Sequence, residues 1–268
     1  MSSAATLVEA LDPLRADPTR AAVLLDIDGT LAPIVRHADE AQVPDSTRLL
    51  LSEIARHYRV VACVSGRRAT VARQIVAIGT IAYVGNHGAE ILRPGATTPE
   101  VDPDAQAWTE RVRDFAASCA GTDLQRLRVR SEDKDMIAGF HWRGAPDEEA
   151  AEQAVRAIAR RAEEEGLRAH WGRKVFEVRP PVTLDKGRGI ATLLGDEPVG
   201  AALYVGDDTT DVDAFRGLRE MTAADSPLTV AVCAAVASDE TPEELVREAD
   251  LTVDGTRGVR ELLEALLG

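Results

Sequence analysis

Five consecutive residues, Asp26-Ile27-Asp28-Gly29-Thr30, directly follow the apolar run Ala21-Ala22-Val23-Leu24-Leu25. An apolar run without alternation fits a strand covered on both faces, as in a parallel α/β sheet, and ligands of such sheets bind at the carboxyl ends of the strands. Two carboxylates spaced two residues apart at that point can divide the labour, one attacking while the other handles protons. The same acidic pair suits a hard cation such as Mg²⁺, which takes oxygen ligands. Asp-x-Asp-Gly is equally a turn signature, so the chemical reading depends on the rest of the chain.

The 268 residues can bury a sizeable core, as one large domain or two modest ones. A net charge of −14 argues against nucleic acid as a partner. It leaves room for a small phosphorylated ligand, because a few local cations and a metal outweigh the long-range field. No stretch approaches the roughly 20 apolar residues of a membrane span. Residues 1–20 lack the basic head and apolar core of a secretion signal, so no membrane association and a cytoplasmic location are expected. Cys63, Cys119 and Cys233 are odd in number, far apart and set among apolar or Ala-rich residues, which predicts buried reduced thiols.

Strand-like and helix-like segments alternate through the first third: strands at 21–26, 59–64 and 81–85, helices at 46–58 and 67–78. The last third repeats the pattern, with helices at 187–194, 211–218 and 258–267 and strands at 201–206 and 228–232. Such alternation predicts βαβ units and a parallel, Rossmann-like sheet. Between them the order changes to a helix at 105–120, strands at 127–131 and 136–142, a helix over 147–165, and strands at 167–171 and 174–179. That order describes a compact antiparallel sheet backed by helices. The chain therefore reads as an α/β core, residues 1–93 and 182–268, with an inserted α+β cap domain at 94–181 whose two connections would form a hinge.

Three further segments place polar chemistry at strand ends. Val64-Ser65-Gly66-Arg67 puts a hydroxyl and backbone amides where a phosphate could bind, although Ser65 is equally suited to cap a helix. Leu184-Asp185-Lys186-Gly187 opens a helix with a compact cation able to neutralise a phosphate and an aspartyl nucleophile. Gly206-Asp207-Asp208-Thr209-Thr210-Asp211 gathers three acidic residues that repel one another unless a cation is shared.

In this order the four segments resemble the motifs of haloacid dehalogenase-like phosphatases. The resemblance implies Asp26 as the nucleophile that forms an aspartyl phosphate, and Asp28 as general acid and then base. It implies Mg²⁺ held by Asp26, the Asp28 backbone carbonyl and Asp207, with Asp208 and Asp211 close by, and Ser65 and Lys186 gripping the phosphoryl group. Gly85-Asn86-His87-Gly88-Ala89-Glu90, Glu132-Asp133-Lys134, His141-Trp142-Arg143 and Gly172-Arg173-Lys174-Val175-Phe176-Glu177-Val178-Arg179-Pro180 are similar to trehalose-6-phosphate phosphatases, and the similarity runs from Ala21 onward. It departs at Trp142, where Tyr is usual, and at Val212, where Glu is usual. It implies that Lys134, His141, Arg143, Arg173 and Glu177 line the cap face, with Arg67 and His87 approaching from the core. The carboxylate of Glu177 would accept bonds from sugar hydroxyls. The expected substrate is trehalose 6-phosphate, and the expected state a monomer. The alternatives are another sugar phosphate, of the sucrose or mannosyl-glycerate kind, or a catalytically silent sugar-phosphate-binding regulatory domain.

Overall fold

The computed structural model describes residues 4–35, 40–195, 197–224 and 226–268. Two compact units divide them, one of residues 1–100 and 184–268 and one of 101–183.

In chain order the first unit begins with α1 (Ala4–Ala16), β1 (Ala21–Leu25), α2 (Asp45–His57), β2 (Val60–Val64), α3 (Ala69–Val76), β3 (Ala82–Gly85), β4 (Glu90–Leu92) and β5 (Glu100–Val101). The second contains α4 (Pro103–Gln106), α5 (Thr109–Cys119), α6 (Thr122–Arg126), β6 (Arg130–Asp133), β7 (Ala138–His141), α7 (Glu148–Glu164), β8 (Arg168–Gly172) and β9 (Val175–Arg179). The chain then returns through α8 (Lys186–Leu194), β10 (Ala201–Gly206), α9 (Thr209–Ala223), β11 (Val230–Ala237), α10 (Glu243–Glu248), β12 (Leu251–Asp254) and α11 (Gly255–Leu267).

Every residue of β1, β2 and β10 is buried, which explains why their sequences do not alternate. They lie in a sheet ordered β12-β11-β10-β1-β2-β3-β4-β5. Pairing is parallel from β12 through β3 and antiparallel from β3 to β4. One face packs Val23 and Leu25 against Leu11 and Leu14 of α1, Leu51 and Ile54 of α2, and Leu262, Leu263 and Leu266 of α11. The other packs Ala22, Leu24 and Tyr204 against Ile190 and Leu193 of α8 and Phe215 and Leu218 of α9. From β1 the chain winds outward to β2 and β3, then resumes on the opposite side of β1 with β10. That reversal is a topological switch point, where a crevice forms at the strands' carboxyl ends.

The second unit is a four-stranded antiparallel sheet ordered β6-β7-β9-β8. Ala138, Phe140, Phe176 and Val178 form one face and pack on Val112 and Phe115 of α5 and Ala151, Val155 and Ala159 of α7. Against expected boundaries of 94 and 181, residues 94–100 stay with the first unit because β5 extends its sheet. The helix expected over 105–120 is broken around Trp108 into α4 and α5. The strand expected at 127–131 starts at Arg130, because Arg128 turns at φ 53°. No helix among the described residues is long and apolar enough to cross a membrane.

Candidate active site

Asp26 follows β1 and is 5% exposed, and its amide donates to Val205 O at 2.9 Å. The chain then turns at Gly29, with φ +84°, where a Cβ would lie 2.0 Å from Asp207 Oδ2. Glycine is therefore required both by the backbone and by the approach of the second acidic loop. Lys186 Nζ donates to Asp26 Oδ1 at 2.7 Å and to Asp211 Oδ1 at 2.6 Å. Gly187 makes this reach possible: a Cβ there would stand 2.4 Å from Asp213 O and 3.0 Å from Gly217 Cα, so α8 and α9 meet backbone to backbone.

Asp211 holds this corner together. Its Oδ1 accepts from Lys186 and from the buried Tyr204 hydroxyl at 2.6 Å, and its Oδ2 accepts from the amides of Asp207 and Asp208 at 2.8 and 2.9 Å. Asp208 caps α9, accepting from the Thr210 amide and hydroxyl at 2.8 and 2.7 Å. Asp207 has no such support, and its Oδ1 is buried with no hydrogen-bond partner among the described residues.

Burial and then the Asp211 charge push the Asp207 carboxyl up to about 8. Burial also raises Asp26 well above the carboxylate range, opposed by Lys186. Asp208 responds differently: despite its burial, Lys186 and the Thr210 bonds hold it below its ordinary value. Oxygens of Asp26, Asp207 and Asp211 lie within 4.8 Å of one another. An orphaned buried carboxylate oxygen among hard donors fits a divalent cation such as Mg²⁺. Because Asp211 already accepts four hydrogen bonds, the free donor capacity falls to Asp26 and Asp207.

Ser65 follows β2, and its hydroxyl accepts from the Arg67 amide at 3.1 Å. It does not cap α3, whose N-cap position is Arg68. The amide at the start of α3, Ala69 N, donates to the buried carboxylate of Glu90 at 2.7 Å, so this amide is not offered to a phosphate. Glu90 also accepts from Asn86 Nδ2 at 2.9 Å and so braces the loop in which Asn86 and His87 adopt φ of 47° and 54°. The His87 amide donates to Ser65 O at 3.2 Å, which places the predicted His87 beside the predicted Ser65. Arg67 places Nε and Nη2 on the two oxygens of Asp28, each at 2.7 Å.

The remaining predicted side chains belong to the second unit. On the face of its sheet opposite the apolar core, Lys134 donates to Glu177 Oε1 at 2.7 Å, and Arg179 places Nε and Nη2 on Glu177 Oε2 at 2.9 and 2.6 Å. His141 Nε2 lies 2.8 Å from Glu132 Oε2. Burial alone would lower the Lys134 ammonium, but Glu177 and Glu132 raise it above its ordinary value. Glu177 is thus a carboxylate already shared by two buried cations, not one left open for sugar hydroxyls.

Arg143 and Arg173 lie beyond the ends of the strands. β7 ends at His141, and Arg143 Nη2 reaches Arg173 O in the β8–β9 turn at 3.3 Å. Arg179, Glu132, Tyr204 and Glu90 take part in these networks without having been singled out. Arg179 and Glu132 had a usable signal in their period-two relation to Glu177 and Lys134, and Glu90 and Glu132 lie in segments that carry the family resemblance.

The trehalose-phosphatase family model matches residues 24–248, which span the whole carboxylate corner and the inserted unit. The chain belongs to the trehalose-phosphatase family. It is 33% identical over 220 residues to trehalose 6-phosphate phosphatase RA3 of Zea mays, a match covering 74% of this chain and 59% of that protein. It is also 33% identical over 207 residues to an uncharacterized glycosyl hydrolase of Mycobacterium tuberculosis, covering 75% of this chain but 15% of the longer one. The chain thus spans less than two thirds of these relatives. The fold is shared with the C-terminal domain of the C. albicans trehalose-6-phosphate phosphatase, at a TM-score of 0.76 and 21% identity over 97% of this chain and 96% of that one. A haloacid dehalogenase-like hydrolase from Bacteroides thetaiotaomicron aligns at a TM-score of 0.61 and 13% identity, over 91% of this chain and 98% of that one.

Proposed function

We propose that this protein is a Mg²⁺-dependent phosphatase that hydrolyses trehalose 6-phosphate to trehalose and phosphate through an aspartyl phosphate. The observation that carries the reading is the Asp26 carboxylate at the switch point, tied by one oxygen to Lys186 and clustered with Asp207, one oxygen of which is buried with no hydrogen-bond partner among the described residues.

In the first step an Asp26 oxygen attacks phosphorus, the bond from phosphorus to the sugar oxygen breaks, and Asp28 delivers a proton to that oxygen. In the second, Asp28 takes a proton from water, the water oxygen attacks phosphorus, and the Asp26 carboxylate is released with inorganic phosphate. Lys186 and the Ser65 hydroxyl hold the phosphoryl oxygens and offset their charge. Mg²⁺, held by Asp26, the Asp28 carbonyl and Asp207, would supply neutralisation of the charge on the transferring group. Sugar recognition we assign to the polar face of the inserted unit, with Lys134 and His141 as the contributing donors.

The fold alone does not separate an enzyme from a domain of a regulatory protein. The C-terminal domain of a C. albicans trehalose synthase regulatory protein aligns at a TM-score of 0.68 and 17% identity, over 97% of this chain and 98% of that one. What supports catalysis here is that Asp26, Asp28 and Lys186 are all present. Phosphate release from trehalose 6-phosphate, sucrose 6-phosphate and mannosyl-3-phosphoglycerate, with and without Mg²⁺, tests the reading. Metal-dependent release from trehalose 6-phosphate alone is the expected result, and no release from any of the three would favour the silent domain.

A further inference from the structure

Arg67 is joined to Asp28 through both ends of a fork. Its Nε meets Asp28 Oδ2 and its Nη2 meets Asp28 Oδ1, both at 2.7 Å. The Asp28 side chain is 39% exposed, on a glycine turn, while that of Arg67 is 13% exposed. A carboxylate so placed has rotamer freedom of its own, and the arginine is the anchored partner. Its main chain is held from both sides: its amide donates to Ser65 Oγ at 3.1 Å and its carbonyl accepts from the Asn86 amide at 2.7 Å. Asn86 is in turn fixed through Glu90, which also holds the first amide of α3. The fork is therefore the end of a braced chain from Glu90 through Asn86 and Arg67 to Asp28.

We propose that Arg67 is a positioning residue that acts through Asp28, setting the plane of its carboxylate so that the proton is delivered to the departing sugar oxygen. This rests on the reading of Asp28 as general acid given above. It differs from a substrate contact, because two of the three guanidinium nitrogens are committed to Asp28. A bidentate fork fixes orientation as well as charge, which a lysine's point charge does not.

The test compares kcat/KM for trehalose 6-phosphate with that for 2,4-dinitrophenyl phosphate, in Mg²⁺, for the native protein, Arg67→Lys, Arg67→Gln, Asp28→Asn and the double variant Asp28→Asn/Arg67→Lys. kcat/KM reports transfer to the enzyme, the step in which the leaving group departs, and dinitrophenolate needs no proton. Asp28→Asn is expected to lose about 10² to 10⁴-fold on the sugar ester and less than about threefold on the aryl ester. Arg67→Lys is expected to lose about 10 to 10²-fold on the sugar ester, again sparing the aryl ester. The double variant is expected to be no slower than Asp28→Asn, because a residue acting through another loses its effect when the other is gone.

Equal losses on both esters for Arg67→Lys, or additive losses in the double variant, would assign Arg67 to gripping phosphate and overturn the proposal. So would native rates in both Arg67 variants, or failure of both to fold by circular dichroism, which would assign Arg67 to the turn. If Asp28→Asn itself loses equally on both esters, the general-acid reading has failed, and that outcome is distinguishable from a failure confined to Arg67.

Discussion

The carboxylate corner of the first unit and the polar sheet face of the second both bury ionised groups, and they balance them differently. In the corner, Asp26, Asp207, Asp208 and Asp211 share Lys186, and one Asp207 oxygen is left with no partner among the described residues. On the sheet face, Glu177 is matched by Lys134 and Arg179, and Glu132 by His141 and, at 3.8 Å, Lys134. An excess of buried negative charge is held at the expense of stability, and a cation relieves it. A balanced buried network carries no such demand, but breaking it leaves an uncompensated charge. Substitutions in the corner should therefore disturb chemistry before fold, and those on the sheet face the reverse.

The largest expected effect is at Asp26. Asp26→Asn should abolish phosphate release while leaving the melting temperature unchanged or raised, since it removes one of the repelling charges. A variant turning over at near-native rate would end the aspartyl-phosphate mechanism.

Glu177→Ala comes next and sharpens the contrast, because it leaves Lys134 and Arg179 buried without their shared carboxylate. A loss of about 3 to 5 kcal/mol is expected, seen as early hydrogen exchange in β7 and β9 while β1 and β10 stay protected. A fully protected second unit combined with lost activity on trehalose 6-phosphate would show instead that Glu177 serves the sugar.

Mg²⁺ added to metal-free protein should raise the melting temperature, by about 2.7 kcal/mol of stabilisation at 100 times its dissociation constant. The same addition to Asp207→Asn should do much less. Equal shifts in the two proteins would place the cation elsewhere.

The smallest effect is the pH dependence of metal-free protein. Asp207 titrates near 8 when folded and near 3.9 when unfolded. Between these values the folded state binds the extra proton, so the stability it contributes is present at low pH and is lost as pH rises toward 8. Between pH 6.5 and 7.5 this amounts to no more than about 1.4 kcal/mol. Thermal melts in chelator should drift downward over that interval, and Asp207→Asn should flatten them. A melting temperature that rises with pH would contradict the burial of this carboxyl.

Much of the first unit was legible because its signals are local. The runs before Asp26, Ser65 and Asp207 are apolar without alternation, and the structure makes each a buried parallel strand ending at the crevice. β11 was less legible. It extends to Ala237 rather than 232, through residues whose alanine content favours helix. Burial between two layers overrides that preference, since Cys233, Ala234 and Ala235 lie in the core. β12 is a four-residue strand at the sheet's end and had too short a pattern to be seen.

The sequence by itself determined where the acidic turns fall, the order of the strand ends and the insertion of a second α+β unit, because these follow from short-range hydrophobic pattern and turn chemistry. Only the tertiary structure decided which charges meet. Lys186 finds Asp26 across 160 residues, Arg67 finds Asp28 across 39, and Lys134 finds Glu177 across 43. A charge's role depends on the partner that shares its burial, and that partner is chosen by the packing of strands and helices rather than by the neighbouring letters.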